Sequence, residues 1–361
     1  MLVEPLKNDT EWENFAKITP GSTFCHSVKW KEVIERSFPL QTYYFTVRND
    51  DGRLVGICPA CALTKGNARV FDSLPFSDFG GPVVEKRQQE QTYTSLCKTI
   101  GEFCQENGIS FAQICFMRDG YEKLFKSSRC YVSDGKGVIY LDLTSKPSDV
   151  VWKILASKQR QKIRKLEKNG FKVREAASKS DLKAFLNLYY QNMQHLGVPA
   201  FRPNLFENMW DLLYPENFTI LFAETKEALG GGVAFFKYCK TIYLTYFGMD
   251  RDSLQHTPAV APFLFWKAIN WAEGNGFKTV CFGSTPAHPK NTREKANYSQ
   301  KMAFGSSFRQ QETIYVPFDA RSTITFLIAP KAIRVWKSMR NVWPPKLRRV
   351  IQHQLGSMFE A

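Results

Sequence analysis

Long hydrophobic runs are missing from this 361-residue sequence. A helix that crosses a membrane needs about 18 or more consecutive apolar residues, and runs such as ITFLIA at 324–329 are far shorter. The first residues, MLVEPLKNDTEW, include acids and lack the apolar stretch of a secretory signal. We therefore expect a chain that stays in the cytoplasm.

Patterns of cysteine and histidine typical of disulfide frameworks or metal sites are also missing. The nine cysteines are an odd number, scattered singly except for Cys58 and Cys61. Because CPAC stands in a strand-like run without a second such pair or clustered histidines, we interpret both thiols as buried and reduced. We expect no metal. The histidines likewise lack a partner at useful spacing, which argues against a histidine-based nucleophile.

Acidic residues are scarce in two segments that carry the charge of the protein. The net charge is +15. Residues 153–174 contain nine Lys or Arg and one acid, and residues 320–359 contain eight and none, so each segment carries +8. The rest of the chain is nearly neutral. Such patches bind phosphates, nucleic acid or anionic membrane, or they are simply solvated faces.

One order of elements occurs twice along the chain. ENGISFAQICF at 106–116 and GNGFKTVCFG at 274–283 each follow an amphipathic run, break at Asn-Gly and enter a strand that contains Cys-Phe. Before each, the patterns predict a helix pair, a strand–turn–strand and a further strand and helix. We interpret this as an internal duplication in a mixed α/β fold. The predicted domains are 1–148 and 149–320, with a basic tail over 321–361.

This order resembles two tandem acyltransferase domains of the GNAT superfamily, and in particular the Fem family and its BioF2-like relatives. The likeness covers roughly residues 1–320. It rests on LPFSDFGGPVV at 74–84, SKQRQKIRKLEKNGFKVRE at 157–175 and CFGSTPAHPKNTREKANYSQKMAFGSSF at 281–308. These segments are similar to the Pro/Gly-rich loop, the basic interdomain segment and the closing stretch of that group.

The resemblance implies an enzyme that forms an amide bond. The expected donor is an aminoacyl-tRNA and the expected acceptor an amine on a phosphorylated or lipid-linked cell-envelope precursor, with no further cofactor and a monomeric enzyme. One alternative is an N-acyltransferase of surface polysaccharide or lipid assembly that uses acyl-CoA or acyl-carrier protein. Another is a non-catalytic pair of GNAT domains that binds RNA or membrane.

The glycine-rich turn with which GNAT enzymes hold coenzyme A is missing from both copies. Backbone N–H groups at a helix N-terminus bind phosphate. The second copy has no glycine between Met249 and Pro262, and in the first copy a proline follows Gly80-Gly81 and removes a donor. This departure favours the aminoacyl-tRNA donor.

Lys301 and Asp78 are the candidate catalytic residues. The resemblance places Lys301 where Fem enzymes hold an anionic group near the reacting ester, and an ammonium there can stabilise an oxyanion or a phosphate. We expect its side chain to be mostly solvated, and the alternative is a surface lysine on a late strand with no role in the reaction. Asp78, in FSDFGGP, is expected to orient the attacking amine or to bind the donor, or to cap a turn.

Substrate-binding residues are expected in three further places. The interdomain segment contains Arg160, Lys162 and Arg164 at helical spacing. Tyr246 and Phe247 end a predicted strand, where they line the cleft or pack in the core. The closing stretch adds the polar and aromatic candidates Ser284, Arg293 and Tyr298.

The tail PKAIRVWKSMRNVWPPKLRRVIQHQLG combines an apolar arc containing tryptophan with basic residues opposite. This pattern predicts an interfacial anchor on the inner face of the membrane. The alternatives are a helix that docks on the protein itself and a tRNA-binding extension.

Deleting residues 331–361 should weaken binding to anionic liposomes. The effect should be strongest at low salt, since surface attraction is screened at higher ionic strength. Co-sedimentation with anionic and neutral vesicles measures it. Unchanged sedimentation together with a lower melting temperature would favour a docked helix instead.

Overall fold

The computed structural model describes residues 1–65, 68–73, 76–117, 130–252 and 257–318, and it divides the chain into two compact units. Of the described residues, unit 1 comprises those within 1–31, 38–134 and 311–318, and unit 2 comprises those within 32–37 and 135–310. The division falls at Asp134 rather than after residue 148, and the chain returns to unit 1 at Gln311. The predicted tail, 321–361, lies outside the described residues.

Unit 1 is a mixed sheet with one long helix packed against it. Its strands have the order β1-β2-β3-β4-β6-β13, with β5 beside β3. Only β4 and β6 pair in parallel. The elements are β1 (Leu2–Pro5), α1 (Asp9–Ile18), α2 (Val28–Ser37, in unit 2 from Glu32), β2 (Gln41–Arg48), β3 (Leu54–Lys65), β4 (Ala68–Asp72), β5 (Val83–Val84), α3 (Gln89–Glu106), β6 (Phe111–Phe116) and, from Gln311, β13 (Ser307–Pro317).

Unit 2 has the same layout. Its strand order is β8-β9-β10-β11-β12-β7, and only β11 and β12 pair in parallel. The elements are β7 (Tyr131–Asp142, in unit 2 from Gly135), α4 (Ser148–Ile154), α5 (Ser157–Lys168), β8 (Lys172–Glu175), α6 (Lys179–Leu196), α7 (Pro203–Leu213), β9 (Phe218–Glu224), β10 (Leu229–Tyr238), β11 (Thr241–Met249), α8 (Thr257–Gly274), β12 (Thr279–Pro286) and α9 (Thr292–Met302).

The two strand orders match position by position, which confirms the predicted duplication and the mixed α/β class. In each unit four antiparallel strands lead to a helix that returns to a parallel fifth strand. The sixth strand, antiparallel to the fifth, comes from outside the repeat in both cases. It is β13 in unit 1 and β7 in unit 2.

The repeated Asn-Gly is a helix stop. Asn107 and Asn275 each donate their backbone N–H and their side-chain amide to the carbonyl of the aromatic residue four positions earlier. Gly108 and Gly276 follow with φ of 61° and 75°. A left-handed residue after the last turn is the usual end of a helix and favours glycine. The two copies therefore share this pattern because both must turn the chain from the long helix into the fifth strand.

Each unit has its own apolar core. In unit 1, α3 contributes Tyr93, Leu96 and Ile100 to a cluster with residues of β2, β3, β4, β6 and β13. In unit 2, α8 contributes Phe263, Leu264 and other residues to a larger cluster with β9–β12, α4 and α5. Burial of a large apolar side chain stabilises a fold by about 1.5–3 kcal/mol, so these clusters hold the long helix against each sheet.

Cys58 and Cys61 are fully buried on β3, as the strand interpretation predicted. Burial raises the pKa of the Cys58 thiol well above its ordinary value, which favours the neutral thiol over a thiolate ligand. No helix within the described ranges combines the length and the apolar character that crossing a bilayer requires.

His26 fixes the loop that follows β4. Its Nδ1 accepts the Thr23 N–H at 3.0 Å, so Nε2 carries the proton and donates to the Gly81 carbonyl at 2.9 Å. The side chain is fully buried, and this burial lowers the pKa of the imidazole to about 4. The folded state therefore holds His26 neutral.

Stability should fall as pH is lowered from about 6.5 to about 4, because in this window the unfolded chain binds a proton at His26 that the folded chain excludes. The expected loss is about 3 kcal/mol, at 1.36 kcal/mol per pH unit. Denaturant titrations across this range measure it. His26→Gln should be less stable at pH 7 and should flatten the slope, whereas His288→Gln, at an exposed position, should not. An equal slope in His26→Gln would disprove the assignment.

Candidate active site

The parallel strands of unit 2 separate part-way along their length. β11 and β12 pair from Thr241–Thr279 to Tyr243–Cys281, where their shared register ends. Beyond it, β11 keeps its pairing with β10 and β12 continues beside β7. The separation begins next to Gly283, which has φ 77° and lies in a register shift of β12. A side chain there would be strained, since the left-handed region costs roughly 1–2 kcal/mol outside glycine.

Lys301 lies at this separation. Its ammonium donates to the Ser284 carbonyl at 2.9 Å, and a Cβ placed on Gly283 would lie 3.9 Å from the same nitrogen. The prediction of a mostly solvated side chain is wrong. Lys301 stands in the last turn of α9 and is 7% exposed. A charge in this surrounding acts through a lower dielectric than one in water and interacts more strongly with a nearby anion.

Local sequence explains why α9 forms there. Asn291 caps its first turn by accepting the Glu294 N–H at 2.9 Å, and the Glu294 carboxylate accepts the Lys290 N–H at 2.7 Å. At the other end, Ser306 Oγ donates to the Lys301 carbonyl at 3.0 Å. The buried Phe304 follows and packs on Phe282 of β12. The helix is thereby tied to β12 with Lys301 on its inner side.

The corresponding place in unit 1 is closed by the unit's own backbone. Ser73, just after β4, accepts the Cys115 N–H through Oγ at 2.9 Å and the Gly81 N–H through its carbonyl at 2.9 Å. A Cβ on Gly81 would lie 1.9 Å from the Cys115 carbonyl oxygen. The Pro/Gly-rich loop thus packs directly against β6. Asp78 is half-buried in this loop, and its carbonyl accepts Gln311 Nε2 at 2.7 Å. Its catalytic role stays a prediction.

The three basic candidates on α5 differ in their contacts. Arg160 Nη1 donates to the carbonyls of Trp152, Lys153 and Leu155 at 3.2, 3.1 and 2.6 Å, so this guanidinium caps the end of α4. Lys162 is half-buried, and Arg164 is exposed with its guanidinium 5.4 Å from the Trp152 ring centre. Arg160 thus has a structural task, and the other two present their charge at the surface.

Tyr246 and Phe247 point to opposite faces of β11, as neighbours on a strand must. Tyr246 is 6% exposed among the rings of Tyr189, Phe201 and Phe206. Phe247 is half-buried and packs edge-on against Phe265 of α8. Both therefore take part in packing.

The closing stretch places its three candidates differently. Ser284 contributes its carbonyl to Lys301. Tyr298 packs near Phe308 on the unit 2 core. Arg293, in the first turn of α9, donates from Nη1 to the Leu196 carbonyl at the end of α6 at 2.8 Å. Ser284 and Lys301 are thus brought together, while Arg293 joins a different element.

Sequence reasoning missed Arg251 and Asn192. Arg251 Nε donates to Asn192 Oδ1 at 3.1 Å, and Asn192 Nδ2 donates to the Phe247 carbonyl at 2.8 Å. Because Arg251 stands between two aspartates in MDRDS, the sequence suggests a neutralised surface charge. The only sequence signal for this pair would have been the position of Asn192 on the apolar face of a predicted helix, because a buried amide needs hydrogen-bond partners.

Comparisons with known proteins agree with this geometry. Residues 156–292, within unit 2, match the family model described as acetyltransferase (GNAT) domain. Among curated protein sequences, none matches this chain. The fold is similar to FemX at 14% identity, over 91% of this chain and 100% of that one, with a TM-score of 0.71.

Two further solved structures are similar. One, from Agrobacterium fabrum, is designated the C-terminal domain of a putative lysylphosphatidylglycerol synthetase, with 11% identity over 89% of this chain and 96% of that one and a TM-score of 0.57. The other is a tandem GNAT protein from the clavulanic acid biosynthesis pathway, with 13% identity over 87% and 97% and a TM-score of 0.55.

These matches define the class. Residues 156–292 match a GNAT-type acyltransferase domain, and the two units have the tandem GNAT fold. Within that class the fold of the chain is like that of FemX, in keeping with the Fem-family resemblance of its motifs.

Replacing Arg160 by glutamine should lower the free energy of unfolding by about 2 kcal/mol, since three hydrogen bonds from a charged donor to α4 carbonyls are lost. The matched control is Lys162→Gln on the same helix, which should stay within about 0.5 kcal/mol of the parent. Denaturant unfolding compares the two. Unchanged stability of Arg160→Gln with reduced turnover would return Arg160 to the substrate-binding residues.

Proposed function

We propose that this acyltransferase moves an aminoacyl group from aminoacyl-tRNA to an amine on a phosphorylated, lipid-linked precursor of the cell envelope. The observation that carries this proposal is the ammonium of Lys301. It is buried and placed where β11 and β12 separate, and it is held by the carbonyl of Ser284, which belongs to the matched stretch 156–292.

The chemistry requires little else from the protein. The acceptor amine attacks the ester carbonyl, and the tetrahedral intermediate carries an oxyanion. As it collapses, the C–N bond is kept, the C–O bond to the carrier breaks, and the proton lost by the amine reaches the leaving hydroxyl. A fixed ammonium stabilises the oxyanion or a phosphate beside it. Holding both reactants in attack geometry supplies much of the remaining acceleration without a covalent enzyme intermediate.

Three features support this donor and acceptor. The start of α8, where a GNAT enzyme presents glycine amides to coenzyme A, contains Pro258 and Pro262, which have no N–H to donate. The lysylphosphatidylglycerol synthetase named among the similar folds is, by its name, a protein that joins an amino acid to a phospholipid. Lys162 and Arg164 on α5 offer positive charge to an acceptor phosphate.

A second candidate is an N-acyltransferase that uses acyl-CoA or acyl-carrier protein. The observations that favour it are the acetyltransferase description of the matching family model and the acetyl-CoA named for the tandem GNAT protein of similar fold. Both candidates use the same separation of strands and the same lysine. They differ in the carrier of the acyl group.

Lys301→Ala should slow single-turnover amide formation by roughly 10²-fold or more, comparable to losing one oxyanion donor. Lys301→Arg keeps the charge on a planar fork and should restore part of the rate if the site admits that shape. Because Lys301 is buried, both variants need a melting curve, and rates are compared only below the transition. Lys295→Gln, on an exposed face of the same helix, is the charge-matched control.

Full activity of Lys301→Ala would remove this residue from the mechanism. Supplying aminoacyl-tRNA or acyl-CoA to the parent protein, with acceptor extracts of the envelope, separates the two candidates. Amide formation with acyl-CoA alone would replace the first by the second.

A further inference from the structure

Two arginines from distant segments are anchored one helical turn apart on α6. Arg251 follows β11 and donates to the side chain of Asn192, and Arg293 in α9 donates to the carbonyl of Leu196. Residues 192 and 196 are four apart on one helix, so their positions differ by about 6 Å along its axis and share a face. Both guanidinium groups are therefore anchored near the C-terminal end of α6.

The anchors themselves are rigidly placed. Asn192 is 4% exposed and donates to the Phe247 carbonyl at 2.8 Å. At the next residue α6 and β11 touch backbone to backbone, since a Cβ on Gly248 would lie 2.9 Å from the Tyr189 nitrogen. Arg293 is carried by the capped first turn of α9. The Arg251 guanidinium is thus tied to a buried side chain, whereas Arg293 and its contact with Leu196 are exposed.

Among the residues that the structure describes, no acid lies within ion-pair distance of Arg251 or Arg293. Glu294, adjacent to Arg293, is engaged with the Lys290 N–H and the Asn291 amide. Burial and the positive charge of Arg293 lower the pKa of Arg251. Two like charges held together in this way repel each other, and an anion between them would relieve the repulsion.

We propose that Arg251 and Arg293 form a phosphate-binding subsite at the C-terminal end of α6. Guanidinium groups present paired N–H donors that match the oxygens of phosphate, and both remain charged at any physiological pH. Their ties to Asn192 and Leu196 fix direction without neutralising charge. The subsite fits a phosphate monoester or a pyrophosphate of the substrate.

The subsite is separate from the reacting centre. Lys301 lies beside Gly283, where a Cβ would be 3.4 Å from the Leu244 carbonyl, whereas Arg251 follows the end of β11. The five residue steps from Leu244 to Met249 span roughly 17 Å of strand. A substrate bound at both places would carry its phosphate about one strand length from the bond that reacts. The assignment of this ligand to the acyl donor or acceptor rests on the proposed function; the anion site does not.

A structural role alone predicts something different. A cation at the C-terminal end of a helix is stabilising through the helix dipole, and Arg251 satisfies the buried Asn192 amide. If these were their only tasks, their loss would change stability and leave anion binding untouched. Anion affinity is therefore the decisive readout.

Isothermal titration with inorganic pyrophosphate at low ionic strength tests the subsite directly. Arg251→Gln and Arg293→Gln should each weaken binding at least tenfold, and the double variant should abolish it. Arg293→Lys should retain part of it. Lys295→Gln, two positions from Arg293 and exposed, removes the same charge from α9 and should bind as the parent does. Parental affinity in the double variant, with melting curves showing a folded protein, would overturn the proposal, as would an equal loss in Lys295→Gln.

Competition then identifies the source of the phosphate. 4′-Phosphopantetheine that displaces pyrophosphate more strongly than adenosine 5′-monophosphate assigns the subsite to a phosphopantetheine carrier, and the reverse order assigns it to the adenosine end of a tRNA donor. Lys301→Ala should bind pyrophosphate normally. Loss of turnover in Lys301→Ala with intact pyrophosphate binding separates the two sites, so either proposal can fail without the other.

Discussion

The geometry of unit 2 depends on the point at which two parallel strands stop pairing. β11 and β12 share three residue pairs and then stay with their outer neighbours, β10 and β7. Gly283 makes this change of partner possible, since its left-handed φ of 77° turns the β12 backbone without strain. The following carbonyl, that of Ser284, meets the Lys301 ammonium at 2.9 Å. A single backbone turn thus both separates the strands and positions the charge beside the separation.

The two units share one strand order but differ in what lies beside the fifth strand. In unit 1 a glycine with φ 80°, Gly81, brings the loop so close to β6 that no Cβ would fit, and Ser73 bonds both partners. His26 holds the same loop from its other side by donating to the Gly81 carbonyl. The equivalent position in unit 2 has Gly283 and a lysine. In unit 1 the loop is therefore packed against the sheet, whereas in unit 2 the two strands separate beside a lysine.

Local signals predicted the fold well, and long-range contacts limited what could be said of the site. The Asn-Gly stops, the hairpins and the buried CPAC strand follow from period and turn chemistry, so they could be recognised in the sequence alone. Lys301 was predicted to be mostly solvated because a lysine near the end of a polar run, YSQKM, gives no sign that its helix docks on β12. The role of Arg160 depends on three carbonyls of a preceding helix. Arg251 between two aspartates in sequence is bound in space to an asparagine on α6.

The arginines differ in whether their hydrogen-bond partners balance their charge. Arg48, Arg53 and Arg174 bond to carboxylates, so their charge is balanced within the protein. Arg160, Arg251 and Arg293 bond instead to neutral carbonyl and amide oxygens. A neutral acceptor fixes a guanidinium in place but leaves its positive charge uncompensated, and such a fixed field is what attracts an anionic ligand into a defined orientation. In unit 2, Arg251 and Arg293 therefore create a positive potential near the end of β11. The ion pair of Arg174 with Asp181 instead stabilises β8 and α6. The net positive charge of the chain therefore predicts only that some anion is bound. The hydrogen-bond partners of each cation indicate which charges are available to bind it.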